Sequence, residues 1–193
     1  IPFLILIGMA VPAAKTLIKM ESPADDAEVT IKITGYQWKW NYDYLHEGFD
    51  YFSNLAQSSR DAINSDNPKD REGINYLLDV DNRMVIPANK KIRFLMTSND
   101  VIHSWWVPAF AVKKDAIPGY INEAWTVVPK PGVYRGQCAE LCGKDHGFMP
   151  VVVEVKSEAD YAAWVSAKKA DAAKAAAGDS KVWTLDELMA KGE

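Results

Sequence analysis

The first residues of the chain form an apolar run, and polar and apolar positions alternate only after it. The run opens with fourteen residues and carries no charge before Lys15. As a helix it would span about 21 Å, less than the ~30 Å of a bilayer's hydrocarbon core. It also lacks the basic start and the cleavage site of a signal peptide. We interpret residues 1–22 as the end of a transmembrane helix whose beginning has been removed; a buried core helix or hairpin piece is the alternative.

Alternation with a period of two then predicts strands. Apolar residues occupy the odd positions from Val29 to Ile33, and aromatic residues occupy the even positions from Tyr36 to Tyr44, with Gly35 between the two sets. A slip of one residue moves the apolar set to the other face of a strand. We therefore expect a bulge or bend at Gly35.

Short apolar segments separated by turn residues continue to residue 155, with one long interruption. Residues 47–73 are polar and weakly patterned, so we expect an excursion there with a short helix near residues 55–63. Short strands with Pro and Gly turns are typical of a β-sandwich or Greek-key barrel. Further strands are predicted at residues 75–80, 84–86, 91–98, 123–128, 132–137 and 150–155.

The last part of the chain is predicted to be helical. Ser157 is suited to cap a helix, acidic residues follow it in the first turn, and an Ala/Lys-rich segment with a narrow apolar face around Trp164 runs to about residue 177. A second helix could begin at Thr184. The predicted division of the chain is residues 1–22, the end of a transmembrane helix; 23–156, a β domain; and 157–193, a helical tail or linker.

Composition narrows the class of protein. Hydrophobic residues make up 48% of the 193 residues, and seven Trp and eight Tyr favour a β-rich domain with a real core. The net charge of −4 argues against nucleic acid as a partner and suits a basic protein partner without proving one. Only two cysteines are present, which excludes a disulfide framework.

The candidate chemistry is concentrated in residues 138–149. This stretch contains Cys138, Cys142, His146 and Met149. Thiolate, imidazole and thioether ligands together select copper over calcium or magnesium, and zinc does not use Met. The wide spacings suit a loop folded around a metal between two strands.

Two thiolates in one loop need a different site from that of ordinary mononuclear copper, which uses a single Cys. Two thiolates can bridge two copper ions, and a second histidine is then required. His103 follows a predicted strand and is the stronger candidate, whereas His46 lies in an unpatterned acidic loop and is interpreted as a surface histidine. A disulfide between the cysteines is the alternative, although four residues apart in a loop is an awkward span.

These residues resemble the binuclear copper loop of cytochrome c oxidase subunit II. The pattern C-x-E-x-C-x-x-x-H-x-x-M at residues 138–149 matches, and so do the segments 35–40, 80–83, 100–105 and 114–119, in the same order. Members of that family have a helical hairpin in the membrane and a cupredoxin domain outside it. The resemblance therefore implies a mainly β protein with a cupredoxin-like Greek-key barrel or sandwich.

The resemblance also implies a ligand set. The two cysteines would bridge both copper ions. His103 and Met149 would complete one copper site, and His146 with the backbone carbonyl of Glu140 would complete the other. The side chain of Glu140 would point towards a magnesium site shared with subunit I.

A donor and an acceptor are implied as well. Trp38 matches the family's exposed tryptophan through which electrons enter from cytochrome c, with a packed core tryptophan as the alternative. Asp81 and Asp100 match acidic positions around the docking site. Electrons would pass to the haem-bearing subunit I, which reduces oxygen. Other oxidase subunits and the membrane are further expected partners. The expected location is the bacterial inner membrane with the copper domain on the periplasmic side, or, alternatively, the mitochondrial inner membrane facing the intermembrane space.

Other copper proteins fit less well, and two regions depart from the family pattern. Nitrous oxide reductase has a similar loop but a histidine-rich catalytic domain, a copper-delivery protein needs no docking tryptophan, and quinol oxidase subunit II lacks the copper ligands.

The excursion at residues 47–73 is longer than in mitochondrial relatives of the family. The tail lies outside the shared domain and resembles, at residues 185–193, the start of a fused c-type cytochrome; without a C-x-x-C-H motif these residues bind no haem.

Overall fold

The computed structural model describes residues 1–22 and 24–179. Within these residues the chain forms three α-helices and ten β-strands. The helices are α1 (Pro2–Met20), α2 (Gln57–Ile63) and α3 (Glu158–Asp179). The strands are β1 (Val29–Tyr36), β2 (Lys39–Tyr44), β3 (Phe49–Ser53), β4 (Met84–Pro87), β5 (Lys91–Ser98), β6 (His103–Val107), β7 (Val112–Ala116), β8 (Asn122–Val127), β9 (Gly132–Cys138) and β10 (Pro150–Lys156). The second helix predicted from Thr184 and the cytochrome-like segment lie outside the described residues.

Two five-stranded sheets build the β domain. Their strand orders are β3-β2-β1-β5-β8 and β4-β10-β9-β6-β7. β1 pairs in parallel with β5, and β4 pairs in parallel with β10, while the other named pairs are antiparallel. The prediction of a mainly β, cupredoxin-like architecture with a helix at each end is confirmed.

The expected bulge at Gly35 is a hairpin instead. β1 runs through Gly35 to Tyr36, a turn at Gln37 and Trp38 follows, and Tyr36 pairs with Lys39 on the returning strand β2. The odd apolar set therefore belongs to one strand and the even aromatic set to the next. A turn within an alternating segment changes its phase just as a bulge does.

Some segments of the sheets differ from the predicted strands. Residues 75–80 contribute only an isolated bridge between Val80 and Leu55. Strands β3, β6 and β7 were not predicted: β3 lies inside the polar excursion, and the middle of β7 is exposed between its buried ends Val112 and Ala116. The short helix expected near residues 55–63 is present as α2.

Large apolar side chains from both sheets fill the space between them. Trp40, Tyr42, Phe94 and Trp105 have no exposed surface. Helix α3 covers an aromatic cluster at the edge of the domain, where Trp164 lies 5.3 Å from Tyr44, 5.6 Å from Phe49 and 6.2 Å from Tyr51 between ring centroids. The narrow apolar face of this helix therefore has a partner.

Helix α1 is exposed along its whole length. It has 19 residues and a mean hydropathy of 1.7, and by length and composition it could cross a membrane. At 1.5 Å per residue it spans about 28 Å, because it continues past Lys15 instead of ending there. The buried-core alternative does not apply in this structure, in which none of its residues is buried.

Ionic contacts tie the end of α1 to the β domain. Lys114 Nζ on β7 lies 3.0 Å from Glu21 Oε1. Glu123 on β8 accepts the backbone N–H of Ala24 at 3.1 Å and pairs with Arg93 at 2.6 Å. Glu21, just after α1, is thereby held against β7, and Ala24, just before β1, is held against β8.

Candidate metal centre

The two cysteines lie at the end of β9 and in the loop that leads to β10. Both thiols are free and buried, and their sulfur atoms are 3.9 Å apart. A disulfide bond is about 2.05 Å long, so the pair is not bonded in this structure. The separation leaves room for a metal between the two sulfurs.

His103 is the first residue of β6 and is fully buried. β6 pairs with β9, and Trp105 faces Cys138 across the ladder, which brings the histidine to the cysteine loop. His103 Nδ1 lies 3.9 Å from Cys138 Sγ, and its Nε2 lies 2.8 Å from Asp100 Oδ1. The Nδ1 atom thus faces the thiols, while Asp100 fixes the orientation of the ring.

Three more donor atoms surround the thiols. The carbonyl oxygen of Glu140 lies 3.3 Å from Cys138 Sγ. His146 Nδ1 and Met149 Sδ lie 3.5 Å and 3.6 Å from Cys142 Sγ. The structure therefore gathers all six residues that the sequence singled out as ligands. His46 is exposed in the turn between β2 and β3, as expected of a surface histidine.

The two thiols differ in acidity. Burial opposes ionisation of Cys138, but hydrogen bonds from His103 and nearby backbone groups outweigh it and lower the pKa of this thiol. Burial and the negative charge of Cys138 raise the pKa of the Cys142 thiol to about 12. For His103, burial lowers the pKa, yet the hydrogen bonds with Cys138 and Asp100 prevail and raise it. The pair thus holds its first negative charge far more readily than its second.

The donor set fits copper. The donor atoms of His103, Cys138 and Cys142 lie within 4.8 Å of one another. Thiolate, imidazole and thioether are ligands that copper accepts, whereas structural zinc sites do not include Met. The sulfur atoms of Cys138 and Cys142, 3.9 Å apart, are close enough to share a metal ion.

Trp38 lies against the backbone of the loop between β9 and β10. The indole is half-buried, and its Nε1 donates a hydrogen bond to the Cys142 carbonyl at 3.2 Å. One side of the residue lines a concavity of about 490 Å³ whose far wall includes Arg60 and Ile63 of α2. Trp38 thus packs against the core on one side while another side lines the concavity.

The two acidic positions differ in their surroundings. Asp100 Oδ1 contacts His103, and Asp100 Oδ2 accepts the backbone N–H of Gln37 at 2.7 Å. Asp81 is exposed and accepts hydrogen bonds from the backbone and the amide of Asn54, which lines the concavity beside Trp38. Asp100 therefore contacts a candidate ligand directly, and Asp81 lies at the edge of the surface around Trp38.

Sequence reasoning missed two supporting residues. A Cβ on Gly35 would lie 2.7 Å from His103 Cδ2, so this glycine makes space for the imidazole. Gln37 donates a side-chain hydrogen bond to the Cys142 carbonyl at 2.9 Å. The phase change at Gly35 was the available signal for the first residue, and for Gln37 the only signal was its place in the matching segment 35–40.

Comparison with known proteins adds the following findings. The family model described as cytochrome C oxidase subunit II, periplasmic domain, matches residues 29–156. A probable cytochrome c oxidase subunit 2 of Rickettsia bellii is 47% identical over 173 residues, covering 90% of this chain and 61% of that protein. Cytochrome c oxidase subunit 2 of Arabidopsis thaliana is 45% identical over 166 residues, covering 86% of this chain and 62% of that protein. The chain thus spans about three fifths of the length of these two relatives.

A solved structure is similar as well. The crystal structure of the periplasmic domain of subunit II of cytochrome oxidase from Bradyrhizobium japonicum superposes with a TM-score of 0.66 at 44% sequence identity. The match covers 75% of this chain and 96% of that domain. The β domain and the tight loop between β9 and β10 lie within the family match at residues 29–156.

Proposed function

The chain belongs to the cytochrome c oxidase subunit II family, and we propose that it is the subunit through which such an oxidase takes up electrons. Cytochrome c would be the donor, a centre of two copper ions the acceptor, and the haem-bearing subunit I the next carrier on the way to oxygen. The observation that carries this proposal is the convergence of four further donor atoms on two free thiols.

The chain's own residues would hold the centre rigidly. A copper centre bound there would supply one-electron transfer. Cys138 and Cys142 would hold both ions, His103 and Met149 would complete the ligands of one, and His146 with the Glu140 carbonyl would complete those of the other. The exposed carboxylate of Glu140 would contribute to a magnesium site shared with subunit I.

Trp38 is proposed as the residue through which electrons enter. Its indole is partly accessible on one side, and on the other it is hydrogen-bonded to the backbone of Cys142. A donor in contact with Trp38 would therefore be connected to a copper ligand through a single hydrogen bond and the covalent frame of one residue.

Exposed apolar side chains beside the ligands support a second protein partner. Val101 and Ile102 precede His103, and Leu141 precedes Cys142, with 37%, 45% and 77% of their surfaces exposed. Tyr120 and Ile121 are about 60% exposed at the same end, where Ser98 and Pro118 form a bridge between loops. Apolar patches of this kind mark interaction sites, and we assign this one to the oxidase subunits that receive the electron.

The location follows from the helix and the family. We propose that residues 1–22 lie in the membrane, that residues 23–156 form the copper domain, and that residues 157–193 are a helical tail. The family model carries the description periplasmic domain, which favours the bacterial inner membrane with the copper domain on the periplasmic side. The mitochondrial inner membrane is the alternative, since plant proteins also match.

Metal analysis and electron paramagnetic resonance test this proposal. Purified protein should contain about two copper ions per chain, because the paired thiolates and paired histidines serve two ions. The resonance spectrum should show one unpaired electron shared by two copper nuclei. A spectrum of a single isolated copper ion would contradict the proposal, and Cys138→Ser should abolish the shared signal.

A further inference from the structure

The turn between β1 and β2 touches both loops that carry the candidate ligands. The backbone N–H of Gln37 donates to Asp100 Oδ2 at 2.7 Å, and Asp100 Oδ1 lies 2.8 Å from His103 Nε2. On its other side, Gln37 Nε2 donates to the Cys142 carbonyl at 2.9 Å. Gln37 therefore connects the carboxylate that orients His103 with the residue that carries the second thiol.

The Cys142 carbonyl accepts two hydrogen bonds from this turn. Gln37 Nε2 and Trp38 Nε1 donate to the same oxygen at 2.9 Å and 3.2 Å. A carbonyl oxygen has two lone pairs, so both bonds can form together. The Gln37 amide thereby helps to hold the Cys142 carbonyl oxygen where it also accepts the Trp38 indole N–H.

Gly143 provides the space for this arrangement. Its φ is +123°, and a Cβ there would lie 3.0 Å from Trp38 Cζ2 and 3.1 Å from Gln37 Nε2. A side chain at this position would displace the indole or the amide, and the backbone conformation itself favours glycine. Gly147 in the same loop has open space around its Cβ position and no positive φ.

We propose that Gln37 is a positioning residue for electron uptake, which holds the Cys142 carbonyl against the Trp38 indole in the gap left by Gly143. This inference rests on the proposed function, because it takes Trp38 as the residue that passes electrons to the centre. Gln37 is exposed, so replacing its amide removes the hydrogen bond without opening a core cavity.

The substitution Gln37→Met keeps the side-chain length and removes the donor. In the assembled oxidase we expect an unchanged copper spectrum and an unchanged apparent affinity for cytochrome c. The rate of copper reduction at saturating cytochrome c should fall by about tenfold, within the loss that a misplacement of about 1 Å causes. Gln57→Met on α2 is the matched control, since it removes an exposed amide bond to Asp61 of 2.7 Å and should leave the rate unchanged.

A pair of glycine substitutions tests the same geometry. Gly143→Ala should slow electron uptake, and Gly147→Ala should not. Hydrogen exchange of the Trp38 indole N–H, followed by nuclear magnetic resonance on the purified chain, gives a readout apart from activity. Exchange should accelerate in Gln37→Met and Gly143→Ala but not in Gln57→Met and Gly147→Ala.

The outcomes separate this inference from the proposed function. If Trp38→Gln slows copper reduction and Gln37→Met does not, the inference is wrong and the role of Trp38 stands. If Trp38→Gln also leaves the rate unchanged, both are wrong. A changed copper spectrum in Gln37→Met would overturn the inference too, because the amide would then shape the ligands themselves. If Gly143→Ala fails to fold, the rate measured with Gln37→Met alone decides whether the inference stands.

Discussion

Asp100 is an exposed carboxylate that is hydrogen-bonded to the candidate metal ligand His103. Burial raises the pKa of this carboxyl group, but hydrogen bonds from His103 and from the backbone N–H groups of Gln37 and Val101 outweigh it and keep the pKa low. Its charge is therefore directed towards the imidazole. The docking role that the family resemblance implies for Asp100 stays a prediction, and the contact with His103 adds a second role that sequence position alone does not reveal.

Replacing Asp100 should consequently affect the copper centre. Asp100→Asn weakens the hydrogen bond that orients His103. Losses of about 10–100-fold in metal affinity are typical of such replacements. We expect a shifted copper absorption spectrum and weaker copper retention on dialysis against a chelator. An unchanged spectrum together with weaker cytochrome c association would return Asp100 to a docking role.

The two histidines outside the cysteine loop should behave in opposite ways. His103→Ala removes a buried donor 3.9 Å from Cys138 Sγ and should abolish the shared-electron resonance signal. His46→Ala changes an exposed residue in a turn and should leave copper content and spectrum intact. Loss of the signal in His46→Ala but not in His103→Ala would contradict the assignment of the second histidine.

At the level of elements, the β1–β2 hairpin is the feature that the alternation pattern only half revealed. The period of two identified both strands, since inward positions such as Ile33 and Tyr42 are apolar in each. It did not locate the turn, because aromatic residues continue through Trp38. The strand β6 was not predicted from the sequence because two of its buried residues, His103 and Ser104, are polar. Its apolar positions therefore do not alternate in the way that identifies a strand.

The junction between α1 and the β domain gives a pH-dependent prediction. The hydrogen bond from Arg93 is the main cause of the lowered pKa of Glu123. Because the pKa is lower in the folded state than the unfolded value of about 4.3, the contact stabilises the fold above that pH and is lost as the pH falls through the folded pKa. Glu123→Gln should therefore reduce the free energy of unfolding by about 1 kcal/mol at pH 7.

Denaturant unfolding of the chain in detergent, followed by tryptophan fluorescence, measures this difference. The gap between Glu123→Gln and the unsubstituted chain should narrow as the pH falls below about 4. Glu72→Gln, at an exposed position after the short 3₁₀ helix Pro68–Arg71, is the control and should show no gap at either pH. A gap that persists at low pH would show that the contact acts through packing.

At the scale of the whole molecule, the charge distribution differs from a simple acidic docking face. The chain carries a net charge of −4. Yet Lys144 Nζ lies 5.8 Å from the centroid of the Trp38 ring, and Lys39 and Arg60 line the concavity beside it. Acidic residues such as Asp81 would therefore attract a basic cytochrome from a distance, while the contact around Trp38 is mixed in charge.

Charge substitutions on either side of Trp38 should change association in opposite directions. Asp81→Asn should slow association with cytochrome c at low ionic strength, and Lys144→Gln should speed it up. Both effects should fade near 1 M salt, where the Debye length is about 3 Å. Stopped-flow kinetics at several salt concentrations measures this, and a shift of the same sign in both variants would contradict it.

The ligand types were predictable from the sequence because Cys138, Cys142, His146 and Met149 lie within one short loop. The fold class was predictable because the strands alternate with a regular period. The bonds that Gln37 makes to Asp100 and to the Cys142 carbonyl were not, because they join residues 63 and 105 positions apart in sequence. Hydrogen-bond partners of that kind depend on how the two sheets pack, which no local pattern specifies.

The parallel pairings have a consequence for the order in which the protein is made. Val29 in β1 pairs with Ile92 in β5, and Met84 in β4 pairs with Val153 in β10. Contacts between residues so distant in the chain form slowly, since a long loop must close first. As synthesis proceeds from the N terminus, the thiols of Cys138 and Cys142 emerge before the final strand that completes their sheet. Every candidate ligand from His103 to Met149 is therefore synthesised before the strand that completes their sheet, and the sheet around the candidate metal centre can close only once β10 has been made.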